Sequence, residues 1–414
     1  MIFQTDTVII GAGQAGLAVS RYLSDQGIDH VVFERGAVGE RWRSERWSSL
    51  HLLTPNWMSR LPGFSYAGAD PNGYMHKNEV ANFLSDYKDS FSAPVLTNTQ
   101  VISVTRDSGT YEIITNNAIW RARTVVIATG ACDKANVPGF ARKISTGIAQ
   151  FTPTTYKSPD QIKPGGVLVV GASATGVQLA KELLAAGLDV TVAAGSHIRV
   201  PRRYRGQDVM HWLDRSGILA KPRIPGADPD IAVRHPSLQL VGGVDAADID
   251  LNTLRSLGAR IVGRAIGAEA SNMRFEPSMQ GVVAAAEIRQ RRLLERIDTY
   301  IDVNGIQAPQ GERPEPMQIN DGPSEIDLAD RGITTILWAT GYRREYPWLK
   351  VPVLSTSGEV QQIGGVTPMA GLFTMGLPFM RRRNSTYIDG VGHDAWVIAQ
   401  RISRHLGHSI TCAA

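Results

Sequence analysis

The sequence predicts an α/β fold of two Rossmann-like dinucleotide-binding domains, each three-layered (ββα), with the second domain inserted into a first that is split in sequence. Three observations lead there. A unit of apolar strand, small-residue turn and helix occurs twice, ending at Gly11-Ala12-Gly13-Gln14-Ala15-Gly16 and at Gly171-Ala172-Ser173-Ala174-Thr175-Gly176. Each helix then stops at a glycine, Gly27 or Gly187. A buried strand closing in Ala-Thr-Gly also occurs twice, at Thr129-Gly130 and Thr340-Gly341, and the whole second unit lies between these copies.

The spacing of small residues has a physical reason. The first glycine makes a tight strand-to-helix turn, the second lets backbone approach a pyrophosphate, and the third lets helix pack on sheet. The helix N-terminus then presents unpaired N–H groups and partial positive charge to the phosphates. Gly11, Gly13 and Gly16 fill these places in the first copy, and Gly171, Ser173, Thr175 and Gly176 make up the second turn. After the first helix, Val31-Val32-Phe33 ends at Glu34, where an acid accepts hydrogen bonds from a ribose. The matching residue in the second copy is Ala194, followed by Ser196, His197, Arg199, Arg202, Arg203 and Arg205. Basic residues in place of the acid suit a 2′-phosphate. The expected cofactors are therefore FAD at the first site and NADPH at the second. Arg35, Trp42 and Arg43, just beyond Glu34, and the two Thr-Gly strand ends complete the expected cofactor contacts.

Along the chain, residues 1–35 form the first βαβ unit. Residues 36–75, rich in Trp, Arg and Pro, are irregular and expected to wrap the cofactor. Residues 77–91 place Val80, Phe83, Leu84 and Tyr87 on one helical face. Residues 95–120 alternate and break at Ser108-Gly109 and Asn116-Asn117, which reads as hairpins. A charged amphipathic helix covers 282–302, a strand covers 371–376, and a last helix runs from Gly392 to Leu406. Prolines cluster near 145–165 and 308–325, so the expected boundaries are 1–150 and 324–414 for the FAD domain and 151–323 for the NADPH domain.

At 414 residues, a net charge of +4 is small, which speaks against a nucleic-acid partner. No apolar run is long enough to span a bilayer, and the start lacks a secretory leader pattern, so a cytoplasmic protein is expected. Cys132 and Cys412 do not form a CxxC pair, which disfavours a dithiol reductase. The histidines lack metal-ligand spacing. A small-molecule substrate is the expected partner, and a homodimer is compatible with the sequence.

These paired motifs, with Ala339-Thr340-Gly341-Tyr342, resemble the group B flavin-containing monooxygenases. Pro201–Gly206 and Gly390–Ala395 resemble a bacterial subgroup of flavoproteins described as involved in potassium transport. The resemblance implies NADPH reduction of FAD, O₂ addition to give a C4a-hydroperoxyflavin, and oxygen transfer to sulfur, nitrogen or an activated carbon. It also implies a polar residue near the flavin, for which Thr54 and Asn56 are the candidates, with a turn-forming Thr-Pro-Asn as the alternative. One departure stands out. The family histidine four residues before the aromatic Tyr156 is Thr152 here. Two alternatives stay open: an NAD(P)H oxidase or diaphorase releasing H₂O₂, which Thr152 favours, and a slow redox or nucleotide sensor of a transport system. Arg381-Arg382-Arg383 is either a substrate-anion contact or a solvated charge run.

Overall fold

The computed structural model describes residues 1–223, 237–243 and 247–408; Cys412 falls outside them. The chain opens with β1 (Ile2–Ile10), α1 (Gln14–Asp25), β2 (His30–Phe33) and the short α2 (Glu40–Ser44). It continues through α3 (Lys77–Ser90), β3 (Val95–Leu96), β4 (Val101–Asp107), β5 (Thr110–Thr115), β6 (Ile119–Ile127) and β7 (Lys134–Ala135). Next come β8 (Ala149–Phe151), β9 (Gly166–Val170), α4 (Ala174–Ala185), β10 (Val190–Ala193), α5 (Val209–Arg215) and α6 (Leu251–Ser256). The rest comprises β11 (Arg260–Val262), β12 (Ala265–Glu269), β13 (Asn272–Phe275), α7 (Met279–Val303), β14 (Glu325–Asp327), β15 (Ile333–Trp338), β16 (Tyr342–Arg343), β17 (Leu372–Thr374) and α8 (Val391–Leu406).

Two parallel sheets organise the molecule. The first runs β3–β2–β1–β6. The far edge of β6 serves two partners: antiparallel β5 beside Ile119–Ala122, and parallel β17 beside Val125–Ile127. A strand from the far end of the chain thus completes the first sheet. Val8, Ile9, Val125 and Val126 are fully buried, as expected of parallel strands covered on both faces. Helices α1, α3 and α8 cover one face; on α8, Val391, Ala395, Ile398, Ala399 and Ile402 form the buried stripe. The segment containing Tyr346, Leu349 and Val353 packs on the other face.

The second sheet is all parallel, in the order β8–β15–β9–β10–β11. Helices α4 and α6 cover one face, and the antiparallel sheet β12–β13–β14 covers the other. This is the expected pair of three-layer units. The expected limits at 150/151 and 323/324 do not coincide with the sheets. Both β8 and β15 belong to the second sheet, because β15 lies beside the second fingerprint strand as β6 lies beside the first. The chain crosses between sheets at β7 and β16, which pair antiparallel with Ala135 opposite Tyr342.

The irregular segment after α2 faces the second unit. Trp47 and Leu50 enter the second unit's core, Ser48 N–H donates to Lys157 O at 2.7 Å, and Ser49 Oγ donates to Glu182 at 2.6 Å. Trp42 packs against both cores.

Candidate active site at the paired nucleotide crevices

The two fingerprint turns match residue by residue. Gly11 and Gly171 have φ of +110° and +114°, and a β-carbon on either would strike the carbonyl of Ala128 or Ala339, the residue before each Thr-Gly. A β-carbon on Gly16 or Gly176 would strike the carbonyl of Gly11 or Gly171. Gly13 and Ser173 precede their helices with nearly the same angles, φ/ψ −87°/−175° and −81°/−174°, and neither helix start is capped by a side chain. A β-carbon on Gly13 would meet nothing within 4 Å. Both helices therefore offer free N–H groups at the carboxyl end of a parallel sheet, an arrangement that fits a pyrophosphate. The strand-end turns are also twinned, with φ of +84° at Gly130 and +86° at Gly341. Thr129 is half-buried. Thr340 Oγ donates to Asn136 O at 2.5 Å. Thr175 is half-buried in the first turn of α4.

Glu34 stands at the end of β2 and is 9% exposed. Its carboxylate accepts the Ala12 N–H at 2.9 Å and the Gly36 N–H at 3.3 Å. An ionised carboxylate has further lone pairs for ribose hydroxyls. This acid lies against the fingerprint turn, which fits the adenosine end of a flavin dinucleotide. Arg35 turns to solvent and pairs with Glu45. Arg43 extends to α3, donating to Ser85 Oγ at 3.2 Å.

The expected arginine set divides. Arg199 is 5% exposed, and its Nε donates to Asp250 at 2.6 Å while Nη1 donates to Glu315 O at 2.7 Å. Arg202 is 1% exposed, pairs with Asp208 and donates to Leu53 O at 2.8 Å. Its guanidinium also lies 4.7 Å from the centre of the Tyr74 ring, and Tyr74 donates to Asp208 at 2.6 Å. Two of the three arginines expected to hold NADPH are thus consumed in buried ion pairs. Arg203 is exposed, and its Nη2 donates to Gly206 O at 3.4 Å.

Two other arginines stand beside the residues that follow β10. Arg264, exposed and without an acidic partner among the described residues, runs alongside Gly195. Arg289 on α7 donates to Ser196 Oγ at 3.4 Å and His197 O at 3.3 Å. His197 is fully buried, and burial lowers its pKa. Reading the sequence did not find Arg264 or Arg289. Arg264 was detectable as a basic residue two positions past the carboxyl end of β11; Arg289, on the charged amphipathic helix read at 282–302, gave no signal.

Asn56 is 5% exposed and its amide is engaged locally. Nδ2 donates to Asp70 O at 2.9 Å, and Oδ1 accepts the Met75 N–H at 2.7 Å. The turn-forming alternative describes these contacts. Thr54 is half-buried two residues earlier. Tyr156 is fully buried and donates to Glu182 at 3.1 Å, while Thr152 closes a local turn with Thr154 and Thr155. Arg381-Arg382-Arg383 forms a backbone seam with 219–223: the Arg383 N–H donates to Lys221 O at 3.3 Å and the Arg223 N–H to Arg381 O at 2.8 Å.

A further group missed in the sequence gathers where the sheets meet. Arg41 donates to Cys132 O at 2.8 Å and to the Asp133 carboxylate at 2.5 Å, tying α2 to the loop after Gly130. The Arg46 guanidinium lies near the rings of both Trp42 and Tyr342, 5.7 and 5.8 Å from their centres. Burial pushes the Tyr342 hydroxyl up to about 12.

Residues 8–213 match the model of the pyridine nucleotide-disulphide oxidoreductase family. A CzcO-like oxidoreductase of Geobacillus kaustophilus is 31% identical over 403 residues, covering 97% of this chain and 99% of the relative. Indole-3-pyruvate monooxygenase YUCCA6 of Arabidopsis thaliana is 28% identical over 264 residues, covering 56% of this chain and 61% of the relative. Among solved structures, the flavin-containing monooxygenase of Stenotrophomonas maltophilia aligns with a TM-score of 0.67 at 17% identity, over 98% of this chain and 99% of that one. That last likeness is one of fold.

Proposed function

This chain belongs to the CzcO-like oxidoreductases, flavin-monooxygenase-type enzymes that work with flavin and nicotinamide cofactors, and from that premise we propose that it is an FAD-dependent monooxygenase driven by NADPH and O₂, acting on a small soft nucleophile. The observation that carries the reading is the twin crevice. Two free helix N-termini, two glycine turns and two Thr-Gly strand ends belong to sheets whose chain crossings lie side by side.

Bound flavin would supply electron storage and oxygen activation. The residues of the chain do the rest. Gly11, Gly13, Gly16 and the start of α1 receive the FAD pyrophosphate, and Glu34 takes the adenosine ribose. Gly171, Ser173, Thr175, Gly176 and the start of α4 receive the second pyrophosphate. Arg264, Arg289 and Ser196 take the 2′-phosphate, since they border the place where the second unit has Ala194 in place of an acid. The Trp42, Trp47 and Leu50 segment lies across both units and excludes water from the junction. Indole-3-pyruvate, the compound after which the Arabidopsis relative is named, is an activated carbonyl compound, which supports a soft or activated substrate.

The oxidase reading has one residue in its favour, Thr152 at the family histidine position. The test is the stoichiometry of NADPH, O₂ and H₂O₂ with a thioether present. Sulfoxide formed in step with NADPH consumption supports the monooxygenase. Peroxide equal to NADPH, with or without thioether, refutes it and establishes the oxidase. Exchanging Arg264 and Arg289 for Ala should raise the NADPH Michaelis constant by about tenfold to a hundredfold, from the ~1.5–3 kcal/mol of hydrogen bonds to a charged group, and leave that for NADH unchanged. An equal rise for both nucleotides would remove these residues from 2′-phosphate recognition.

A further inference from the structure

Arg46 is a cation with unused donors at the junction of the two crevices. Its Nη1 donates to the adjacent Glu45 carbonyl at 3.0 Å. Among the described residues it has no carboxylate partner; Glu45 is taken by Arg35 and Arg41. Its guanidinium carbon lies 5.7 Å from the centre of the Trp42 ring and 5.8 Å from that of the Tyr342 ring, so two aromatic side chains flank a fork whose remaining N–H groups have no acidic partner among the described residues. Arg46 and both rings are half-buried, so a ligand can reach them.

The position is central. Tyr342 directly follows Gly341, and its strand pairs with β7, just past Gly130. Trp42 packs against the cores of both units. The surroundings are basic. Lys77 Nζ donates to Arg43 O at 3.1 Å and Arg46 O at 3.4 Å, and Lys157 Nζ donates to Ser44 O at 2.6 Å and Thr154 O at 2.8 Å. Among the described residues both ammonium groups donate to carbonyls there, and burial lowers their pKa values. The cofactor phosphates already have places at the starts of α1 and α4. A planar fork close to two aromatic rings matches a different anion, a carboxylate bound through two parallel hydrogen bonds, attached to an apolar or flat body that packs on a ring.

We infer that Arg46 is the substrate anchor and that the substrate is a small carboxylate-bearing molecule with an apolar or aromatic body. The inference rests on the monooxygenase reading only for what happens next. For a thioether acid the balance is thioether + O₂ + NADPH + H⁺ → sulfoxide + NADP⁺ + H₂O. One oxygen atom bonds to sulfur, the other leaves as water, and the nicotinamide supplies the electron pair.

The experiment uses the FAD-loaded full chain and three probes: (phenylthio)acetate, its methyl ester and its primary amide. Equilibrium dialysis gives each dissociation constant, and sulfoxide analysis gives turnover. The carboxylate should bind about tenfold or more tighter than the amide, the size expected of hydrogen bonds to a charged group. Arg46→Gln should bring the carboxylate and amide together. Arg46→Lys should fall between, keeping charge but losing the fork. Equal binding of the three probes by the unaltered protein would overturn the inference. So would an Arg46→Gln protein that keeps the carboxylate preference, or one that instead loses FAD or NADPH affinity by the same factor. Carboxylate preference without sulfoxide would leave the anchor standing while the oxygenation reading fell.

Discussion

Arg199 and Arg202 show how a residue type can be legible while its role is not. A basic run after an apolar strand reads as a phosphate site, yet Asp250, 51 positions from Arg199, and Asp208 neutralise these two guanidinium groups inside the protein. No local pattern announces such a pairing. Removing one partner of a buried ion pair strands the other, at a cost of about 3–5 kcal/mol. Arg202→Ala should therefore lower the urea midpoint strongly and change the ratio of NADPH to NADH Michaelis constants little. A selective loss of NADPH affinity, with stability intact, would return Arg202 to the phosphate site. The glycines were legible because geometry leaves them no alternative. Gly11 needs a left-handed φ beside the Ala128 carbonyl, and Gly16 has no room for a β-carbon. Glu34 was legible as a position, the acid just past the end of β2 that lies against the fingerprint turn.

At the scale of elements, periodicity exposed what packing required. The 282–302 reading became Met279–Val303, and the 392–406 reading became Val391–Leu406. Ile398, fully buried where α8 meets α1, should cost about 2–5 kcal/mol on replacement by Ala, read as a lower denaturation midpoint. The hairpin at Ser108-Gly109 was visible because both residues take positive φ, 47° and 88°, in a tight turn with a glycine signal. The β12–β13 hairpin was not. Its turn places Ala270 at φ 52°, a left-handed conformation that alanine does not advertise. Ala270→Gly should stabilise the protein by about 1 kcal/mol, measurable as a raised melting temperature, by relieving that strain. A lowered melting temperature would contradict the strained-turn assignment.

For the whole molecule, the two-unit architecture followed from the repeats, but the limits drawn from proline-rich stretches missed where the chain changes sheets. Proline marks a loop; only pairing shows which sheet the loop leaves. The units share an acid sensitivity. His30 in the first and His197 in the second are both buried, and burial lowers both pKa values below the ordinary 6.5. On acidification the unfolded chain takes up protons at these positions first. Their contribution is present above about pH 6.5 and is lost as pH falls below it. The melting temperature should drop between about pH 7.5 and 5.5, and His30→Gln with His197→Gln should flatten that drop. An unchanged slope in the double variant would assign the acid sensitivity elsewhere.

The crossing at β7 and β16 has an architectural consequence. The Asn136 N–H donates to Gly341 O at 2.9 Å, so a span of roughly half the chain departs and returns through neighbouring residues. Topologically it is a cassette. Closing Ala135 to Tyr342 with a short hairpin turn would delete the second sheet while leaving every strand of the first in register, including the late-arriving β17. Trp47 and Leu50, stripped of their cover, would need polar replacements. The shortened chain should retain FAD and lose NADPH, and by the same geometry a foreign domain with adjacent termini could be spliced in its place.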